Sequence, residues 1–442
     1  MAEHISKNST QGQTYTWDKE TAFGTAADAA VYFLADEFDF PTEIVQSYRP
    51  ISAGNINPAT RNKVILYKDG HAMDGSLTIP IRRGTTTLVP TFAQFCEAGG
   101  WTRAALTGAT SVKTGTTTAN LIFTADVAAE NGSFVLVEMD SGAWEPVFCA
   151  AWTVGTTSAV PLFLMSADPT DLNEIEQMHT LYPQSTVLSA TEALTIVNQS
   201  RVEDGATHPQ EFTYNGCGFV LKELVITPGE KLKASFDVLI ANADVADGTW
   251  ALETDHEVEG EIITGNDFEF LIEDAVAAGA GGAARTSMQI KSITINTGVS
   301  LQRQKSVGGS TDLNQVGGYT CVFAEEGPTW TINGYFNIDR INDTITAYAG
   351  GTGTNPDVAL MASWSTQDQA LYPAFAVASP KCNMANCPTT LLKGTDSGLV
   401  EQTLTFTANR ADLNEADARA TLGKASDAGS QSIYIGISGT GA

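Results

Sequence analysis

Gly75 to Gly100 reads GSLTIPIRRGTTTLVPTFAQFCEAGG. Its first part alternates, with Leu77, Ile79 and Ile81 on one side and Ser76, Thr78 and Arg82 on the other. That period of two predicts a half-buried strand. A short helix is predicted from about Pro90 to Ala98, with Gly99-Gly100 placed to stop it. The same unit recurs at Thr329 to Gly351, TWTINGYFNIDRINDTITAYAGG. Trp330, Ile332, Phe336 and Ile338 share one face there, and Thr331, Asn333, Tyr335, Asn337 and Asp339 the other. A short segment from near Asp343 again ends on a double glycine, Gly350-Gly351. Strand, short segment and glycine pair in the same order point to a diverged duplication.

Further ordered matches extend it. Lys231 to Ala241 alternates Leu232, Ala234, Phe236, Val238 and Ile240 against Lys233, Ser235 and Asp237, and leads into Ala241-Asn242-Ala243-Asp244. Leu399 to Ala408 sets Val400, Leu404 and Phe406 against Glu401, Thr403 and Thr405, and leads into Ala408-Asn409-Arg410-Ala411-Asp412. Each half therefore has an early strand and a closing strand. Tyr48 to Met73, with Asn55, Asn57, Arg61, Asn62 and a charged tip at Lys68-Asp69-Gly70, reads as a long loop or extended hairpin. Loops of that length inside a compact domain tend to be functional. Arg303, Lys305 and the glycines from 308 to 318 form a second long connection in the matching place.

Around these, abundant Gly, Thr, Ser and Ala separate short apolar alternations, the pattern of a mainly β chain. Residues 1 to 35 read as an arm with Trp17 and Phe23 as docking points, and Val31 to Phe40 as one strand. Between 107 and 186 lie strands at Leu121-Phe123, Ser133-Val137, Val147-Cys149 and Val160-Leu164, with hairpin turns at Glu130-Asn131-Gly132 and Asp140-Ser141-Gly142. The expected division is a discontinuous first domain (1–106 and 187–245), an inserted small β-barrel or meander (107–186) and a second domain (246–442). At the junction Glu253, Asp255, Glu257, Glu259 and Glu261 alternate as an acidic ribbon, and Ala275 to Ala284 reads as a loop. A chain of 442 residues has room for two or three such cores.

Composition narrows the function. With 24 basic and 51 acidic side chains the net charge is −27, and no Lys/Arg cluster offers nucleic acid a grip. The N-terminus lacks an apolar export core, and no run of about 20 apolar residues exists to span a membrane. Six scattered cysteines suggest reduced, buried thiols, as in a protein made in a cytoplasm. The histidines at 4, 71, 179, 208 and 256 have no metal spacing, and Cys382 and Cys387 lack a partner pair. No phosphate loop or nucleophile elbow is present, so neither an enzyme nor a cofactor is expected.

This layout resembles the tail tube proteins of long-tailed bacteriophages, particularly those with two tube domains in one chain. The features that carry the resemblance are the arm with Trp17, the long loop from Tyr48 to Met73, the strand–helix–glycine unit at 75–100 and 329–351, and the closing strands at 231–241 and 399–408. The resemblance implies two tandem β-sandwich domains with short flanking helices. It also implies trimeric rings that stack into a hollow tube in the virion tail, touching other tail proteins at the tube ends. DNA would pass through without specific binding. If each half lends four strands, three chains give 24, and at about 4.8 Å spacing and about 40° tilt the wall is roughly 48 Å across. The faces opposite the apolar ones would then line the bore: Thr78, Lys233, Ser235, Asp237, Asn333, Asn337, Asp339, Glu401, Thr403 and Thr405. The loop residues Asn55, Asn57, Arg61, Asn62, Lys68 and Asp69 would bridge successive rings. The alternatives are another virion protein, such as a decoration or fibre component, and a carbohydrate-binding β-sandwich using Trp144, Trp152 and Trp364.

Overall fold

The structure, a computed structural model, describes residues 13–24, 26–27, 31–41, 48–52, 64–68, 73–83, 89–104, 110–112, 114–123, 132–152, 158–170, 174–183, 187–188, 193–200, 210–247, 257–258, 262–264, 268–272, 289–305, 316–323, 327–336, 358–365, 374–386, 400–409 and 431–438. The fold is mainly β: the described residues form almost wholly antiparallel strands and one helix, Thr91–Glu97.

Eight strands make one continuous sheet. Their spatial order is Glu37–Asp39, Met73–Pro80, Lys233–Ile240, the second part of Gln210–Ile226, Gln289–Asn296, Thr329–Phe336, Val400–Ala408 and the last part of Ala374–Asn386. Period-two alternation gives this sheet one apolar face. Ile79, Ala234, Leu224, Ile295, Trp330, Phe406 and Met384 stand opposite one another across it, all buried.

The two parts of the sheet share a register. Leu221 faces Phe236, which faces Leu77; likewise Met384 faces Phe406, which faces Trp330. Just beyond each, the ladder slips by one residue, between Leu221 and Glu223 and between Met384 and Asn386. A bulge of this kind bends and twists its strand.

Both long strands cross into a second layer. Gln210–Ile226 changes sheets near Gly216, which has a φ of +64° and accepts no Cβ without meeting the Ala241 Cβ at 2.6 Å. Its first part lies between Leu194–Ser200 and Asn242–Asp247, and Leu194–Ser200 pairs in turn with Gln13–Lys19. In the second half, Ala374–Asn386 crosses at Pro380, where the ladder is already shifted, so the missing N–H costs little. Its first part lies between Val358–Ser365 and Tyr434–Ser438, and Val358–Ser365 pairs with Glu269–Ile272. Trp17, Phe33 and Ile196 from one layer and Leu77, Phe236 and Phe219 from the other enclose the helix, with Phe95 stacked on Phe219 at 4.2 Å.

The strands between 110 and 183 close into a ring: Leu121–Ile122, Ser158–Pro161, Trp144–Trp152, Ser133–Glu138, Glu174–Pro183 and Thr110–Ser111, completed by a bridge from Val112 to Phe123. Val135, Val137, Val147 and Ile175 fill its interior. Its outer residues Phe134, Leu136, Trp144 and Phe148 pack on Leu271, Met361, Ala376 and Tyr434 of the second half.

Several expectations are corrected. Gln13–Lys19 is a strand within a sheet rather than part of an arm; Trp17 docks it by donating Nε1–H to Thr91 Oγ1 at 2.9 Å. Val31 to Phe40 splits into Val31–Phe33 and Glu37–Asp39, which lie in different layers. Lys68 is opposite Tyr48 at the base of the hairpin Tyr48–Ser52/Val64–Lys68, so it is not at a tip. The connection around Arg303 is a second hairpin, Val299–Lys305 with Val316–Phe323. Ser133–Glu138 pairs with Trp144–Trp152 and Glu174–Pro183, so the Glu130-Asn131-Gly132 turn does not join it to Leu121–Ile122. Residues 343–351 and 275–284 lie outside the described residues, as does the acidic ribbon apart from Glu257, whose strand pairs with Val31–Tyr32.

Candidate functional site

The second face of the eight-strand sheet is polar throughout its width. Glu37, Thr78, Ser235, Glu223, Asn296, Thr329, Thr407 and Asn383 stand in one row, one from each strand. All are partly or fully exposed. Because a strand's side chains alternate, this row is fixed once the apolar row faces the core.

Neighbouring strands are stitched by their hydroxyls and amides. Thr78 and Ser235 bring their oxygens to 3.3 Å, and Thr403 donates to Asn333 Oδ1 at 2.5 Å while Asn333 Nδ2 donates to Ser292 at 3.1 Å. Two lysines of this region are held by carboxylates: Lys233 by Asp36 at 3.0 Å and Lys222 by Asp237 at 3.3 Å. The Asp36 hydrogen bond and charge push the Lys233 ammonium above its usual range, so it stays protonated in this pairing.

Of the sequence-predicted bore residues, Thr78, Lys233, Ser235, Asp237, Asn333, Thr403 and Thr405 share this face. Glu401 occupies the matching register position, opposite Tyr335. Asn337 and Asp339 lie outside the described residues, as do Asn55, Asn57, Arg61, Asn62 and Asp69. Phe236 and Phe406 are buried against the core, on the opposite face. Sequence reasoning missed Glu37, Glu223, Thr294, Asn296, Thr407 and Asn383. The signal for two of them was present: Gln289–Asn296 reads QIKSITIN, with Ile293 and Ile295 alternating against Ser292, Thr294 and Asn296.

Other candidate chemistry falls away. Trp144 and Trp364 are buried, at 6% and 5% exposure, so neither presents a ring to a sugar. Five of the cysteines are buried free thiols, and burial pushes those of Cys96 and Cys217 well above the ordinary range, leaving them inert. Among the described residues no three His, Cys, Asp or Glu side chains converge as a metal site, and no helix is long and apolar enough to cross a membrane. The chain matches no protein-family model and no curated protein.

Proposed function

We propose that this chain is a tube-forming structural protein of a phage tail, in which three copies close a ring and rings stack around a bore that passes DNA. The observation that carries it is the eight-strand sheet, with one buried apolar face and one hydroxyl-, amide- and carboxylate-bearing face. Eight strands closed on themselves would fill their interior with side chains, whereas 24 leave a bore roughly 48 Å across before inward side chains are subtracted. The repeated register and bulge support two tandem sandwich domains, 1–106 with 187–245 and 246–442, with 107–186 as an insertion whose barrel packs on the second. Such a protein is made in the host cytoplasm, works in the virion tail and meets other tail proteins at the tube ends. It performs no catalysis and needs no cofactor.

The connection 53–63, at the far end of the first hairpin, is the proposed contact between rings. In negative stain, the purified chain is expected to form rings and tubes, and a deletion of Asn55 to Asn62 rings that do not elongate. Monomers at every concentration would refute the reading; full-length tubes from the deletion variant would reassign the loop.

The polar face explains passage without binding. Duplex DNA carries one negative charge per about 1.7 Å of axis, and a wall of hydroxyls, amides and carboxylate-paired lysines gives it no cationic track. A Glu401→Lys/Asp237→Lys variant reverses two carboxylates and separates Lys222 from its partner. Its tubes should retain duplex DNA at about 50 mM salt and release it by about 200 mM, the mark of phosphate contacts. Equal release from wild-type and variant tubes would remove the electrostatic account.

A further inference from the structure

We propose that the two halves of the polar face meet DNA differently: the second half is the uncharged surface over which the duplex slides, and the first half pairs its charges within itself and keeps phosphates away. The proposal deepens the tube reading and rests on it.

The register shows which charges come together. In the first half, Lys222 and Lys233 stand among Asp36, Glu37, Glu223 and Asp237, so carboxylates outnumber ammonium groups. Asp36 holds Lys233 at 3.0 Å and Asp237 holds Lys222 at 3.3 Å. At the margins Lys231, 4.0 Å from Asp36, and Asp39, opposite Ser76, add one charge of each sign.

The second half is built otherwise. Thr294, Thr331 and Thr405 form one row across three strands, and Ser292, Asn333 and Thr403 form the next. These groups bond to one another, with Thr403 donating to Asn333 and Asn333 to Ser292. The charged residues of the four strands Gln289–Asn296, Thr329–Phe336, Ala374–Asn386 and Val400–Ala408 are Lys291, Lys381 and Glu401. With strands about 4.8 Å apart and residues about 3.4 Å apart, the register puts each of them roughly 10 Å or more from Thr331, and Glu223 roughly 12 Å away. Screening acts over about 8 Å at physiological salt. A phosphate above Thr331 therefore meets almost no fixed charge, whereas one above Ser235 meets an excess of carboxylate. In a ring of three the duplex runs on three neutral sectors separated by three acidic ones.

The same distribution predicts different outcomes for one added lysine. Ser235 and Thr331 are both half-buried on the polar face. A Ser235→Lys ammonium lies directly across from Glu223, with Asp237 two residues along, and is paired there. A Thr331→Lys ammonium has Thr294 and Thr405 on either side and can take only a phosphate. Tubes of each variant, verified by negative stain, are incubated with a short fluorescent duplex, sedimented, and washed at about 50 mM and then about 200 mM salt. Thr331→Lys tubes should keep at least about tenfold more duplex than wild type at the lower salt and lose it at the higher, while Ser235→Lys tubes match wild type. Thr405→Lys, the next position in the row, should behave as Thr331→Lys does and replaces it if that variant does not assemble. Equal retention by the two kinds of variant, retention by Ser235→Lys alone, or retention by neither would overturn the division and leave the tube standing. Wild-type chains that stay monomeric would overturn the tube reading and this proposal with it.

Discussion

A Gly99→Ala chain is expected to lose more than about 4 kcal/mol of stability, a large share of the roughly 5–15 kcal/mol that holds a folded protein together. A Cβ built on Gly99 would lie 1.9 Å from the carbonyl oxygen of Phe219. The oxygen is main chain and the Cβ is fixed directly to main chain, so no flexible side chain can swing away. Nor can the two segments separate cheaply. Phe219 N–H donates to Ala98 O at 3.1 Å, Phe95 stacks on Phe219, and the other end of the helix is tied through Thr91 to Trp17. Six of the helix's seven residues are buried, so moving it would open the core. Gly100 is the contrast. Its φ of +84° costs an alanine only about 1–2 kcal/mol. Urea titration followed by tryptophan fluorescence should show a far larger midpoint shift for Gly99→Ala than for Gly100→Ala. Equal shifts would mean that the helix end has slack the structure does not show.

That glycine pair shows where sequence reading stopped. Both residues read as a helix stop, but only Gly100 takes the left-handed conformation; Gly99 is required by a strand 120 positions away. Local periodicity carried the closing strands: Ala234, Phe236 and Val238 point inward against Lys233, Ser235 and Asp237, and Leu404 and Phe406 against Thr403 and Thr405, because burying one face of a strand imposes that spacing. The continuity of the sheet was hidden. It depends on the pairing of Glu223 with Asn296 and on bulges beside Leu221 and Met384, and a bulge leaves no residue signature here. The second hairpin could have been found. Val299, Leu301 and Arg303 alternate against Ser300, Gln302 and Gln304, but nearby glycines and few apolar residues made it read as a loop. The run Phe134-Val135-Leu136-Val137 read correctly as a strand, and its apolarity on both sides had a further meaning. Val135 and Val137 line the small barrel while Phe134 and Leu136 lie against the second half, so both faces are covered.

The strand that ties this barrel to the rest should also set the protein's acid limit. Glu174–Pro183 pairs with Ser133–Glu138 inside the barrel, then with Tyr434–Ser438 and Trp101–Ala104 in the second half's outer sheet. His179 sits at this transition, opposite Ile437, and is 4% exposed. Burial lowers its imidazolium pKa to about 4, and the nearby Arg103 guanidinium, at 3.4 Å from Nδ1, pushes the same way. Glu97 opposes them, but it is already engaged by Arg103 at 2.8 Å and Lys19 at 3.2 Å. In the unfolded chain the same ring takes a proton near its ordinary value of 6.5. Between pH 6.5 and 4 the unfolded state therefore binds a proton that the folded state refuses, and stability falls as the pH falls. A gap of this size corresponds to about 3 kcal/mol, complete near pH 4. Replacing the imidazole with an uncharged amide, His179→Gln, removes the proton uptake and should flatten that part of the profile. Urea midpoints from pH 7.5 to 4.5 should fall more steeply for the wild type than for the variant, since carboxylates contribute to both alike. Parallel curves would show that His179 accepts its proton within the fold, and the barrel's attachment would then not be what fails first in acid.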